Sequence, residues 1–212
     1  MDGTGTLFSR FATEVAAWAE PRIVRYPTNV RLSVDELVDL IELKAPTTVI
    51  AESFSGAVGI RLAAKHPALV ERLILVGSFV TPPFGSGLMR PFGSVPFQII
   101  APRFVLRQIL VGNDASEELV DELERALKQV APEVLAHRLA SISRIDERAM
   151  LRSLQMPIVV LSARQDRLVS AAVTAEVLAN APHAKHLELD GPHLLLQTGP
   201  REAAAIIRQL YT

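Results

Sequence analysis

The 212-residue chain contains no cysteine, which excludes a disulfide framework and a thiolate zinc site. Aromatic residues make up only 5% of it, and 22 Lys and Arg stand against 23 Asp and Glu, so neither charge sign is in excess. Without a basic excess, nucleic acid is not an expected partner. The longest uncharged stretch, residues 73–89, contains two prolines that would break a helix. No membrane span is predicted there.

Hydrophobic residues nevertheless make up 49% of the chain. This apolar content, with a net charge of −1, excludes a disordered chain, and the length suits a single folded domain. The first residues have neither a basic n-region nor an apolar h-region, so no secretory signal is predicted to start there. A cytoplasmic protein is therefore the expectation.

Short apolar segments alternate with helical patterns along most of the chain. Strands are predicted at residues 22–26, 47–51, 73–76, 158–161 and 185–189, and helices at 33–43, 54–65, 171–180 and 201–211. In the first helix Ser33 and Glu36 have capping-box spacing, and Leu37, Leu40 and Ile41 share one face. The alternation predicts an α/β fold with a mostly parallel sheet and helices on both faces.

Residues 79–150 interrupt this alternation, and they separate 1–78 from 151–212. We predict that the two outer parts form one core and that the interruption is a helical lid. Its second half has Ser116 as a helix cap and Leu119, Leu123 and Leu127 on one face. Its first half is rich in phenylalanine, and the candidates for lining an apolar substrate pocket are Phe79, Phe84, Phe92 and Phe97. The alternative is an extra helical layer whose phenylalanines form its own core.

Residues 49–56 carry the most informative pattern: a buried strand, one serine, and then a helix. This is the context of a nucleophile elbow, in which the residues two positions either side of the serine must be small. Here they are Ala51 and Ser55, which makes Ser53 the candidate nucleophile and Ser55 the poorer one. The N–H of Phe54, at the start of the helix, is the natural first oxyanion donor. The alternative is a serine that only caps the helix.

A serine nucleophile needs a base and an orienting acid. His193 follows the last predicted strand, and Asp166 follows the strand at 158–161, so both lie in loops at the carboxyl edge of a parallel sheet. Asp190 is the rival acid, but it precedes His193 by three residues and suits a local turn better.

Three segments together resemble the elbow, acid and histidine blocks of the α/β-hydrolase superfamily: residues 51–56, residues 162–169, and Gly191-Pro192-His193 with Pro200. The resemblance implies that Ser53 attacks a carbonyl, that His193 takes its proton and that Asp166 orients the imidazole. It implies no metal or cofactor. A serine at the elbow argues against haloalkane dehalogenase and epoxide hydrolase chemistry, which use an aspartate there.

Residues 2–8 are similar to the loop that opens the family's oxyanion hole, and this similarity implies a second oxyanion donor near Met1. The strands that normally precede this loop are missing, as is the common neighbour of the strands at 22–26 and 47–51. Exposed sheet edges would favour association into a homo-oligomer. We hypothesise either a deletion or displaced start, or a sheet closed by rearrangement or by a partner subunit.

Three functions therefore compete. The first is a serine hydrolase that cleaves small-molecule carboxylic esters through an acyl-enzyme. The second is the same triad acting on a thioester or in acyl transfer. The third is a non-catalytic binding protein, because the oxyanion loop is incomplete.

Overall fold

The computed structural model describes residues 1–83 and 102–211, and its centre is a parallel sheet. The strands are β1 (Thr47–Glu52), β2 (Val70–Val76), β3 (Ile158–Ala163) and β4 (Lys185–Leu189). They lie in the order β1-β2-β3-β4, and every neighbouring pair is parallel. The predicted α/β class is confirmed. Since all four strands run the same way, their carboxyl ends meet at one edge of the sheet.

Helices connect and cover the strands. The bounds are α1 (Ser9–Val15), α2 (Val34–Asp39), α3 (Ser55–Lys65), α4 (Arg103–Leu106), a π-helical turn (Arg107–Val111), α5 (Glu117–Lys128), α6 (Pro132–Ile142), α7 (Arg148–Ser153), α8 (Ala171–Ala179), α9 (Leu195–Thr198) and α10 (Pro200–Arg208). Among the described residues, no helix combines the length and the apolar composition needed to cross a membrane.

Both faces of the sheet are buried under helices. Successive side chains of a strand point to opposite faces, so β2 contributes to two cores. Leu73 and Leu75 pack in one core with residues of α3 and α8, whereas Ile74 and Val76 pack in another with residues of α1 and α10. This arrangement confirms the prediction of helices on both faces, and it explains why residues 73–76 of β2 are continuously apolar.

Residues 102–150 are mainly helical, and they bury an apolar cluster that includes one face of α5. Ser116 caps α5 by accepting a hydrogen bond from the Leu119 N–H at 3.2 Å, as the sequence predicted. At the end of this segment Glu147, which is 1% exposed, accepts two hydrogen bonds from Arg61 of α3 at 2.9 and 2.6 Å. The buried pair ties the segment to the core. A lid between 79 and 150 stays a prediction.

The strand predicted at residues 22–26 is wrong, because this segment has no regular secondary structure. A strand needs a neighbour to pair with, and here the backbone–backbone hydrogen bonding consists of the Tyr26 N–H donating to the Gly3 carbonyl at 2.8 Å. Within the described residues β1 therefore pairs with β2 alone and its other edge is open. Association of copies through this edge stays a prediction.

The helix predicted at residues 33–43 is shorter in the structure, where α2 ends at Asp39. Ser33 and Glu36 form the expected capping box. The predicted face was partly wrong: Leu37 and Ile41 are buried, but Leu40 is 53% exposed. The six residues of α2 make less than two turns. Leu40 lies just after the last of them, so it does not share the buried face of the helix.

Candidate active site

Ser53 lies immediately after β1, in a sharp turn that leads into α3. Its φ of 55° is in the left-handed region, which is costly for a residue with a side chain. The turn is held by the Ser53 N–H, which donates to the Val76 carbonyl at 2.9 Å, and by the Ser53 carbonyl, which accepts from the Gly56 N–H at 2.9 Å. This is the strained strand–turn–helix geometry of a nucleophile elbow.

Small residues around the turn let α3 approach β1 and β2. A Cβ on Gly59 would lie 2.7 Å from the Ala51 Cβ, and a Cβ on Gly56 would lie 2.7 Å from the side chain of Ser78. Both separations are shorter than any normal contact between carbon or oxygen atoms. The requirement for a small residue at position 51 therefore comes from the helix that packs against it.

Ser53, His193 and Asp166 form a continuous hydrogen-bonded chain. The His193 Nε2 lies 2.8 Å from the Ser53 Oγ, and the His193 Nδ1 lies 2.9 Å from the Asp166 Oδ2. The histidine and aspartate side chains are 1% and 2% exposed. With Nδ1–H donated to the carboxylate, Nε2 is left as the acceptor for the serine hydroxyl.

The orientation of Asp166 is fixed by its own loop. Its Oδ1 accepts hydrogen bonds from the N–H groups of Leu168 and Val169, each at 2.8 Å, so Oδ2 faces the imidazole. Two backbone donors on one oxygen hold the carboxylate in this orientation. The arrangement can transfer a proton from a serine hydroxyl to a histidine that faces this carboxylate.

Gly77 is a site residue that the sequence reasoning missed. It follows β2 with a φ of 47°, and a Cβ there would lie 3.3 Å from the Asp166 Oδ2 and 3.5 Å from the His193 Nδ1. The lack of a side chain thus leaves room for the acid–histidine pair. The available signal was a glycine directly after a buried strand, at the same sheet edge as Ser53.

Glu52, interpreted from the sequence as a neighbour oriented by the turn and not as a catalytic acid, has partners that the sequence reasoning missed. It is 6% exposed at the end of β1, and its two oxygens accept hydrogen bonds from the Leu196 N–H at 3.1 Å and from the Gln197 Nε2 at 2.9 Å. Burial raises the pKa of the Glu52 carboxyl, and these two donors partly oppose the increase. The available signal was a charged residue inside an otherwise apolar strand.

Met1 and Phe54 were the predicted oxyanion residues. In the part of the chain that the structure describes, the Phe54 N–H has no hydrogen-bond acceptor, and it lies directly after Ser53 at the start of α3. Met1 lines the same cavity as Ser53, and its carbonyl accepts a hydrogen bond from Arg138 at 2.8 Å. The oxyanion roles of both residues stay predictions.

Arg138, on α6, organises the segment around Met1. Its guanidinium is 2% exposed and also donates to the carbonyls of Asp2 and Pro27, at 2.8 and 2.7 Å. One buried side chain thereby holds the first residues against the irregular segment that ends near Tyr26. No sequence pattern indicated this, because its acceptors are backbone carbonyls more than a hundred residues away.

The rival residues are not part of the hydrogen-bonded chain of Ser53, His193 and Asp166. Asp190 forms an exposed ion pair with Arg164 at 2.7 Å. Ser55, inside the first turn of α3, lies 3.5 Å from the Tyr26 hydroxyl. A second serine–histidine pair exists on the surface, where the Ser162 Oγ lies 2.8 Å from the His186 Nε2.

A cavity of about 1060 Å³ opens beside the hydrogen-bonded chain. Ser53 and His193 line it, together with apolar residues that include Phe79, Leu110, Leu123 and Ile142. Phe79 was a predicted pocket residue; the others, Phe84, Phe92 and Phe97, lie outside the described residues. Within residues 1–83 and 102–211, no group of three or more His, Asp or Glu side chains could hold a metal ion.

The model of the family described as "Serine aminopeptidase, S33" matches residues 18–191. The chain belongs to this family of α/β-hydrolases. The match includes Ser53 and Asp166 and ends at Gly191, so it covers all four strands and the segment between β2 and β3. The predicted membership of the α/β-hydrolase superfamily is confirmed.

Two curated relatives of this S33-family chain are hydrolases by name. A pimeloyl-[acyl-carrier protein] methyl ester esterase from Aromatoleum aromaticum is 27% identical over 192 residues, which span 81% of this chain and 76% of the relative. A protein from Pantoea ananatis with the provisional name carbamate hydrolase RutD is also 27% identical, over 189 residues, which span 82% of this chain and 68% of the relative.

Solved structures share the fold at lower identity. A hydrolase from Oleispira antarctica superposes with a TM-score of 0.85 at 14% identity, over 99% of this chain and 87% of the other. The enol-lactonase from Burkholderia xenovorans superposes with a TM-score of 0.83 at 16% identity, and it covers the same shares of the two chains, 99% and 87%. The arrangement of this S33-family member is thus that of a hydrolase fold.

Proposed function

We propose that this hydrolase is a serine esterase that cleaves small-molecule carboxylic esters to an acid and an alcohol through an acyl-enzyme. The observation that supports the proposal best is the unbroken chain from the Ser53 Oγ through the His193 imidazole to the Asp166 carboxylate, with links of 2.8 and 2.9 Å. An activated serine next to a cavity is what acyl transfer to water requires.

The first half of the reaction forms the acyl-enzyme. Ser53 Oγ attacks the ester carbonyl while its proton passes to His193 Nε2, and the carbonyl oxygen becomes an oxyanion. The Phe54 N–H donates to this oxyanion, which is worth roughly 3–4 kcal/mol of transition-state stabilisation for one such donor. His193 then returns the proton to the departing alcohol oxygen, and the C–O bond of the ester breaks.

The second half uses water. The oxygen of a water molecule attacks the acyl carbonyl while His193 Nε2 accepts one of the water's protons. His193 then donates this proton to Ser53 Oγ as the bond between Ser53 and the acyl carbon breaks and the acid leaves. Asp166 orients the imidazole and stabilises the imidazolium formed in each half. Residues 79–150 act as a lid, and the apolar lining of the cavity favours an ester with an apolar acyl or alcohol part.

Labelling with a fluorophosphonate probe and turnover of p-nitrophenyl butyrate test the proposal together. The wild type should react with both, Ser53→Ala with neither, and Ser162→Ala, the matched surface control, with both. A folded wild type that is neither labelled nor active would instead support a non-catalytic binding protein. Labelling without hydrolysis, followed by transfer of the acyl group to an added alcohol or thiol, would support acyl transfer.

A further inference from the structure

The proposed reaction leaves one buried carboxylate next to the nucleophile without a role. Glu52 is the last residue of β1, and Ser53 follows it in the left-handed turn. The Glu52 carboxylate bonds to residues of α9, the short helix that begins two residues after His193. It therefore contacts the segment that directly follows the proposed base.

The contacts of this carboxylate join two distant parts of the chain. One oxygen accepts from the Leu196 N–H at 3.1 Å and the other from the Gln197 Nε2 at 2.9 Å, and all of these atoms are buried. The bonds span 144 and 145 residues of sequence. Buried charge-assisted hydrogen bonds are strong and directional, so they restrict how the loop after β4 can move relative to the elbow.

Among residues 1–83 and 102–211, little else ties the elbow to the histidine loop apart from the reacting pair itself. The Leu194 N–H bonds to the Leu110 carbonyl at 2.8 Å, and the Leu195 N–H bonds back to the His193 carbonyl at 3.0 Å. In this part of the chain the hydrogen bonds of Glu52 are thus the polar connection between β1 and the segment that follows His193.

We propose that Glu52 and Gln197 form a brace that positions His193 against Ser53. The proposal deepens the proposed esterase function and depends on it. Glu52 is a positioning residue and not a catalytic one, because its hydrogen bonds go to α9 and not to the side chains of Ser53 or His193. Loss of the brace lets the imidazole drift from the serine, and a displacement of about 1 Å is enough to lower a rate constant by about 100-fold.

Gln197 offers a conservative variant for the test. Its Oε1 is buried and has no hydrogen-bond partner among the residues that the structure describes. In Glu52→Gln the new amide oxygen can still accept from the Leu196 N–H. The new amide N–H can donate to the Gln197 oxygen once the Gln197 amide rotates. This variant keeps two hydrogen bonds across the brace and removes only the charge, whereas Glu52→Ala removes both bonds.

Steady-state kinetics with p-nitrophenyl butyrate should separate positioning from simple stabilisation. We expect kcat to fall about 10- to 100-fold in Glu52→Ala with KM changed less than about two-fold, and near wild-type kcat in Glu52→Gln. The control is Glu36→Ala, which removes the hydrogen bond that this α2 glutamate accepts from the Ser33 N–H at 2.8 Å. It should lower stability without changing kcat per folded molecule.

Two results would overturn the brace: a wild-type kcat in folded Glu52→Ala, or an equal loss of kcat in Glu52→Gln and Glu52→Ala. The NMR signals of the His193 imidazole provide a readout that needs no turnover. They should move in Glu52→Ala and return in Glu52→Gln, and unchanged signals would again contradict the proposal. An inactive wild type with shifted signals would reject the esterase function and retain the brace.

Discussion

Two serine–histidine pairs in this protein have the same hydrogen-bond length and very different surroundings. The Ser53–His193 and Ser162–His186 pairs are both joined at 2.8 Å. His193 is buried and backed by Asp166, whereas His186 is exposed on β4. Among the described residues no carboxylate contacts the His186 ring.

The backbone differs as well. Ser53 is held in a left-handed turn at the end of a strand, next to the first N–H groups of α3, while Ser162 lies in regular strand β3. A serine–histidine distance therefore does not by itself indicate a nucleophile. What distinguishes the inner pair is the third group, the burial of the base and the N–H groups beside the serine.

The largest expected difference between the pairs is in their histidines. His193→Ala should lower kcat/KM for an ester substrate by on the order of 10⁵-fold, because no group remains to accept the serine proton. His186→Ala should stay within about two-fold of the wild type, since surface substitutions of this kind change little. Equal losses in the two variants, with unchanged circular dichroism, would contradict the distinction.

The next largest effect concerns the third group. Asp166→Asn should lower kcat by on the order of 10⁴-fold, because the amide can donate to Nδ1 and favour the wrong imidazole tautomer. The matched variant is Asp190→Asn, which breaks only the exposed pair with Arg164 and should leave kcat unchanged. If Asp190→Asn were the more damaging substitution, the assignment of the acid would have to be reversed.

A smaller effect is expected from crowding of the inner pair. Gly77→Ala adds a Cβ at 3.3 Å from the Asp166 Oδ2 in left-handed backbone, so we expect about 1–3 kcal/mol less stability and a lower kcat. Gly199→Ala adds a Cβ with ordinary contacts at 3.6 Å or more and no positive φ. Thermal unfolding together with kcat measures both variants, and identical behaviour would argue against a tight fit around Asp166.

The smallest effect is a pH dependence of stability. Burial raises the pKa of the Glu52 carboxyl, partly opposed by its hydrogen bonds to Gln197 and Leu196. The folded state then binds this proton more tightly than the unfolded chain. The resulting contribution to stability is complete below the ordinary glutamate pKa and is lost as pH rises through the raised pKa.

Glu52→Gln cannot ionise, so its stability relative to the wild type should increase over that pH range. Urea unfolding of the two proteins from mildly acidic to mildly alkaline pH measures the difference. Parallel curves across the whole range would mean that the buried carboxyl does not retain its proton more strongly in the folded protein.

Much of the fold could be predicted because it depends on local patterns. Apolar runs bounded by turns gave β1, β2 and β3, which extend beyond the predicted bounds. β4, which contains two leucines among polar residues, was predicted with its observed bounds. Helix caps at Ser33 and Ser116 were likewise visible, because a cap involves only residues three positions apart. The false strand at residues 22–26 had the same local pattern and failed because pairing depends on a neighbour that is distant in sequence.

The sequence alone determined the order and local setting of the candidate site: a strand, Ser53 and a helix, followed by loops carrying Asp166 and His193. Only the tertiary structure decided that these side chains lie within hydrogen-bond distance, since they are 27 and 140 residues apart. It also assigned partners to Glu52, Gly77 and Arg138, whose surroundings come from distant segments. A pattern in sequence can specify a turn, but only packing sets the distances between chains that the turn brings together.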